Sequence, residues 1–238
     1  MKFKGLFVLI LALIPLTVYG FVGVGFMGGS SPSSTVNWDL LNEDCSDISD
    51  WTDADTGSAV SEVDPAGQFR FDTNSGAASN DEAHRYVDFG SLPNEFTIKV
   101  VTYFDNVGLN SGTDFANYKV YQADELVNII FATDGLFLYD TDSGYTEVGT
   151  DLVKEGGSAE WQTWWFLVAF TGTTGDGTCD VYLDDSTHNN EKVGTGINCS
   201  QEYAGTDGLI RLIQYGNTTD DMVHHIDSIQ IATGLHTP

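Results

Sequence analysis

The sequence predicts an all-β protein, an antiparallel sandwich of two sheets, and three observations carry that prediction. Beyond residue 36 no helical periodicity survives, and short runs rich in Val, Ile, Phe, Tyr and Trp alternate with clusters of Gly, Asp, Asn and Ser. Within Trp161–Asp185, WQTWWFLVAFTGTTGDGTCDVYLDD, a Trp-rich run passes through a Thr/Gly/Asp turn into a second run. Some 200 residues follow an uncharged leader, which suits about one sandwich or barrel domain.

The chain opens with Lys2 and Lys4, after which residues 5–38 carry no charged side chain. That pattern is an export or membrane signal. Leu6–Tyr19 is long enough for the apolar region of a signal peptide, and Val18-Tyr19-Gly20 places small residues where cleavage would fall. Taken as one helical segment, Leu6–Met27 is instead long enough to span a bilayer. Cleaved secretion and retained anchoring both stand at this point. Residues 28–35, GGSSPSST, form a flexible tether, and residues 36–238 form the sandwich domain.

The expected strands are Val36–Leu41, Ala59–Val63, Gln68–Asp72, His84–Phe89, Glu95–Phe104, Asn117–Gln122, Leu126–Thr133, Leu136–Asp140, Tyr145–Val148, the Trp-rich run, Thr178–Asp184, Leu209–Tyr215 and Val223–Ala232. In the Trp-rich run, Trp161, Trp165, Leu167 and Ala169 share one face, and Trp164, Phe166, Val168 and Phe170 the other. Both faces are apolar, so this strand is central. In the run after it, Cys179, Val181 and Leu183 point one way and Asp180, Tyr182 and Asp184 the other, the pattern of a strand with one wet face.

Formal net charge is −26, from 9 Lys and Arg against 35 Asp and Glu. Nucleic acid is excluded as a partner, since phosphate repulsion has no counterion release to offset it. Anionic lipid headgroups are disfavoured for the same reason, so a membrane is met only through the apolar leader. The acidity reads as a solubilising exported surface, or as adaptation to salt or divalent cations. Arg70, Arg85, Lys99, Lys119 and Arg211 lie inside strand-like runs, whereas most acids lie in turns. Each base either pairs with a cross-strand carboxylate or belongs to a binding face.

Three cysteines in an exported chain leave one unpaired. Cys179 and Cys199 flank the polar loop Asp184–Gly196 and are the expected disulfide, with Cys45 a free thiol; three buried, reduced cysteines are the alternative. Asn198-Cys199-Ser200 and Asn217-Thr218-Thr219 have the form of glycosylation sequons.

Three stretches give the domain its resemblance to the concanavalin A-like lectin/glucanase superfamily, including the laminin-G-like jelly rolls. They are NWDLLNEDCSDISDW (37–51), the Trp strand with its following DVYLDD (180–185), and HHIDSIQIATGL (224–235). The resemblance covers residues 36–235 and implies a jelly-roll sandwich; a galactose-binding-type jelly roll is the second choice. Asp227 near an opening-strand acid such as Asp44 resembles the structural calcium arrangement of carbohydrate-binding jelly rolls, so the resemblance implies one calcium ion. Retaining glucanases of this type carry an E-x-D-x-E strand. Here Glu62-Val63-Asp64 comes nearest, but Pro65 and Ala66 follow. Adjacent His224 and His225 fall on opposite faces of a strand and cannot both ligate one metal there. Turnover is therefore disfavoured.

Sugar binding needs an aromatic platform for the apolar face of the ring and planar polar groups for its hydroxyls. Tyr103, Asn117, Tyr121, Trp164 and Arg211 offer those groups on strands, with a core position for Trp164 as the competing reading. The leading expectation is an extracellular or cell-surface, non-catalytic domain that binds a polysaccharide or glycan or is adhesive. A self-associating subunit of a surface filament or virion is the alternative, and a polysaccharide hydrolase or lyase the third.

Overall fold

Alternating side chains from two antiparallel sheets meet in one apolar layer. The computed structural model describes residues 35–73, 81–105, 115–132, 135–154, 160–171, 175–203, 207–216 and 223–238. The leader and almost all of the tether fall outside the described residues, as does the sequon at Asn217. Sheet I runs in the order β13 (Glu191–Asn198), β12 (Gly177–Asp184), β11 (Gln162–Phe170), β6 (Glu95–Phe104), β16 (Val223–Thr233), β4 (Phe69–Asp72) and β3 (Val60–Val63). The short β1 (Leu41–Glu43) pairs with the distal half of β16. Sheet II runs β10 (Gly144–Gly149), β9 (Gly135–Asp140), β8 (Glu125–Ala132), β7 (Phe115–Gln122), β15 (Leu209–Tyr215), β5 (Glu82–Asp88) and β2 (Thr52–Asp53), with β14 (Ser200–Glu202) paired to the first residues of β8.

The core is built from every second residue of these strands. Phe96, Ile98 and Val100 on β6, Trp164, Phe166 and Val168 on β11, and Cys179, Val181 and Leu183 on β12 point inward from sheet I. Sheet II answers with Tyr118 and Val120 on β7, Val127, Ile129 and Phe131 on β8, and Ile210 and Leu212 on β15. Phe131 meets the Trp164 ring edge-on across the layer, centroids 5.6 Å apart at 72°. Trp164 is fully buried, so the ring expected as a sugar platform is a core residue instead. Its truncation would cost about 3–5 kcal/mol.

His224 and His225 lie on opposite faces of β16 as the strand period requires. His224 is buried and stacked on Phe71 at 4.7 Å, while the His225 ring stacks on Tyr103 at 4.5 Å on the outer face and its Nε2 lies 3.2 Å from Asp105.

Two expectations from the sequence are corrected. The opening strand is not Val36–Leu41 but the three residues of β1, because Asp39 spends its carboxylate on the Thr233 amide and only from Leu40 onward does the backbone reach β16. The polar loop after β12 contains β13, an edge strand that is largely exposed on both faces. An edge strand with little to bury has no apolar alternation to announce it.

Candidate functional site

The outer face of sheet II carries a transverse row of polar and aromatic side chains, contributed by six neighbouring strands. Tyr145 on β10 stands opposite Tyr139 on β9. Ile129 opposes Leu138, which sets Asn128 on β8 beside Tyr139; Asn128 opposes Lys119 on β7; Lys119 opposes Arg211 on β15; Arg211 opposes Tyr86 on β5. The row follows from local sequence. In FANYKVYQ, Ala116, Tyr118 and Val120 go to the core, so Asn117, Lys119 and Tyr121 face out; in LIRLIQY, Ile210 and Leu212 go in, so Arg211 faces out. A second, more apolar row of Tyr121, Leu126 and Leu209 runs beside it.

Gly208 sets the start of β15 and hence the placement of Arg211. Its φ of +72° is left-handed, and a Cβ there would lie 1.1 Å from the Gly90 carbonyl oxygen. With hydrogen alone, its amide donates to the Tyr121 carbonyl and its carbonyl accepts from the Phe89 amide, at 2.9 and 2.8 Å.

Together these residues line a groove of about 400 Å³, walled by Lys119, Tyr121, Leu126, Asn128, Tyr139, Tyr145, Gln201, Tyr203 and Arg211. Tyr145 and Tyr203 stand at 56% and 40% exposure, two of only four large hydrophobic side chains left exposed among the described residues. Tyr145 meets Tyr139 edge-on at 4.8 Å, and Tyr203 meets Tyr121 at 5.1 Å, so each exposed ring is propped by a second tyrosine. The Arg211 guanidinium lies 5.2 Å from the Tyr121 ring and 5.8 Å from that of Tyr86.

Burial pulls the Lys119 ammonium below its ordinary pKa, with Arg211 acting the same way and Glu82 opposing both. Burial, with Arg211 and Lys119 adding to it, lowers His84 on the adjacent strand to about 4, so its imidazole is neutral. Burial also raises the phenols of Tyr121 and Tyr215. The Oδ1 of Asn128, the Oδ1 of Asn117 and the Nε of Arg211 are buried with no hydrogen-bond partner among the described residues. An unpaired buried polar atom costs about 1–3 kcal/mol.

The residues expected from sequence separate into three places. Tyr121 and Arg211 line the groove, and Asn117 lies on the same face one row away, opposite Ile130 and Ile213. Tyr103 is on the outer face of sheet I, packed between Trp161 and His225. Trp164 is in the core. Asn128, Tyr139, Tyr145, Gln201 and Tyr203 were not singled out from sequence. The alternation of ELVNIIFA and GLFLYD carries a signal for Asn128 and Tyr139, because Asn128 lies between core Val127 and Ile129 and Tyr139 follows core Leu138.

Asp44 directly follows β1, and Asp227 lies on β16, the strand with which β1 pairs. Asp44 Oδ1 accepts from the Ser46 amide and hydroxyl at 3.1 and 2.6 Å, closing its own turn, and Asp227 sits exposed at a bulge in β16. Among the described residues no three His, Cys, Asp or Glu side chains are grouped to hold a metal ion. The Cys179–Cys199 bridge is not formed either. All three cysteines are buried free thiols, with the Cys179 thiol in hydrogen-bonding reach of Cys199 where the Cys199 amide donates to the Gly177 carbonyl.

No family model matches the sequence, and no curated protein matches it. Solved structures do match the fold. The exoplasmic/lumenal domain of VIP36 in its Ca2+/Man3GlcNAc-bound form superimposes with a TM-score of 0.51 and 12% identity, over 84% of this chain and 90% of that one. Cellulose induced protein Cip1 superimposes with a TM-score of 0.50 and 12% identity, over 82% of this chain and all of that one (100%). A GH43 protein, a BlXynB mutant from Bacillus licheniformis, aligns over 81% of this chain at 11% identity and a TM-score of 0.49, and this chain spans 39% of its length. The two-sheet sandwich is the fold this chain shares with the VIP36 domain and Cip1.

Proposed function

We propose that this chain is a lectin-like carbohydrate-binding protein whose site is the groove on the outer face of sheet II. The observation that carries the reading is the combination of Tyr145 and Tyr203, held exposed at the rim, with the planar polar groups of Asn128, Gln201 and Arg211 in the floor. Tyrosine faces stack on the apolar face of a sugar ring, and amide and guanidinium groups order its hydroxyls. The bound Man3GlcNAc of the VIP36 domain supports the class, as that domain shares the fold. The reading is of binding without turnover, and of a location outside the cytoplasm, for which the uncharged run behind Lys2 and Lys4 is the support.

A glycan array probed with the protein and with its Tyr145→Ala and Tyr203→Ala variants tests this. Binding is expected, with affinity falling by several-fold to about tenfold in each variant. Absence of any bound glycan, or binding indifferent to both tyrosines, overturns the assignment. Release of reducing or unsaturated sugar ends above a heat-killed control overturns its non-catalytic part.

A further inference from the structure

Two cations line the groove, and no carboxylate among the described residues forms an ion pair with either. Arg70 is paired with Glu62 and Asp72, Arg85 with Asp53, Lys154 with Asp185 and Lys192 with Asp180, while Lys99, in no ion pair among the described residues, lies over the Trp38 and Trp165 rings on sheet I. Lys119 and Arg211 are in no ion pair among the described residues, although acids outnumber bases by 35 to 9 in the chain. Lys119 Nζ has the Tyr215 hydroxyl at 3.4 Å, and the acid that acts on both cations, Glu82, lies beyond ion-pair distance.

The two cations are direct cross-strand partners, an arrangement that repels. Both are partly withdrawn from water, Lys119 enough to weaken its hold on its proton. Next to them, Arg211 Nε and Asn128 Oδ1 are buried with no hydrogen-bond partner among the described residues. A groove built this way lacks one component, an anion bearing oxygen acceptors.

We infer that the groove takes a uronate unit of an acidic polysaccharide, its carboxylate accepting hydrogen bonds from Arg211 and Lys119. This deepens the carbohydrate reading and rests on it. A guanidinium fork matches the two coplanar oxygens of a carboxylate, and the ammonium adds a point charge on the same side. The chain is strongly acidic overall and repels polyanions, and the two cations of this groove supply a local attraction against that background.

The test uses calorimetric titration with tetramers of galacturonate, mannuronate and glucuronate and their methyl esters, which differ in charge and little in shape. At about 0.1 M salt the Debye length of about 10 Å suppresses the general repulsion. At least one free acid is expected to bind about tenfold or more tighter than its ester. Lys119→Met and Arg211→Gln should each remove that preference, and Lys119→Met should not lower the thermal midpoint, because it relieves a like-charge contact; should Arg211→Gln fail to fold, Lys119→Met decides alone. Esters bound as tightly as the acids overturn this inference and leave the carbohydrate reading standing. A sulfated tetramer bound tighter than every carboxylated one overturns the carboxylate assignment. Binding of no saccharide, neutral or acidic, overturns both.

Discussion

His224 Nδ1 on β16 donates to Gln214 Oε1 on β15 at 2.8 Å, a hydrogen bond that joins the two sheets through the middle of the core. Gln214 Nε2 donates to the Tyr215 carbonyl at 2.9 Å, which leaves its oxygen facing the imidazole and places the histidine proton on Nδ1. Burial, with His225 adding to it, lowers His224 to about 3, so the ring is neutral in the folded protein.

That relationship makes stability depend on pH in a defined direction. His224, with a folded pKa of about 3, and His84, at about 4, lie below the unfolded value of 6.5. Between these limits the unfolded chain binds more protons than the folded one, so stability rises with pH and is lost as pH falls through 6.5. Urea denaturation should give a lower midpoint at about pH 5 than at about pH 7, before carboxylates titrate in bulk. His224→Gln should flatten part of the slope; a midpoint independent of pH across this window would contradict the neutral buried ring.

Trp164→Ala should destabilise the domain by about 3–5 kcal/mol, read as a shift of the denaturant midpoint. The folded fraction should bind glycan as the parent does, since the ring is sealed between Phe131 and Phe166 and never meets the groove. Lost affinity in a variant of normal stability would place the ring at the site after all.

Oxidation should join Cys179 to Cys199 and leave Cys45 unmodified. Burial raises the Cys179 thiol well above its usual range, so the reaction is slow without an oxidoreductase. Peptide mapping without reductant reads the linkage, and the bridge should stabilise the domain by roughly 3 kcal/mol. A disulfide to Cys45, which follows β1 by two residues, would require the opening strand to pack elsewhere.

Asp185→Asn should loosen the turn after β12. The carboxylate accepts from the Thr187 amide at 2.7 Å, the His188 amide at 2.8 Å, Gln162 Nε2 at 3.1 Å and Lys154 Nζ at 3.1 Å, bonds that hold it well below the ordinary carboxylate range although burial opposes them. Loss of the charge should cost about 2–3 kcal/mol at neutral pH, seen in the denaturant midpoint. Local hydrogen exchange at Thr187 and His188 should rise with it.

Fold class was legible in the chain because strand alternation is a local property. The inward Cys179, Val181 and Leu183 and the two-faced Trp run announce a half-buried strand beside a central one, and the sandwich follows once both must bury their apolar faces. Arg211 and Tyr121 were legible as outward-facing polar residues on strands. Their partners were not. Strand order β10-β9-β8-β7-β15-β5 sets Tyr139, Asn128, Lys119 and Arg211 in one row although they span a long stretch of sequence, and only pairing register makes them neighbours. The same cause misplaced Tyr103 and Trp164: alternation states that a residue faces one side or the other, but not which side is core when both are apolar. Register across the sheets and the stacking of one sheet on the other decide that, because burial is a relation between elements and not a property of any one of them.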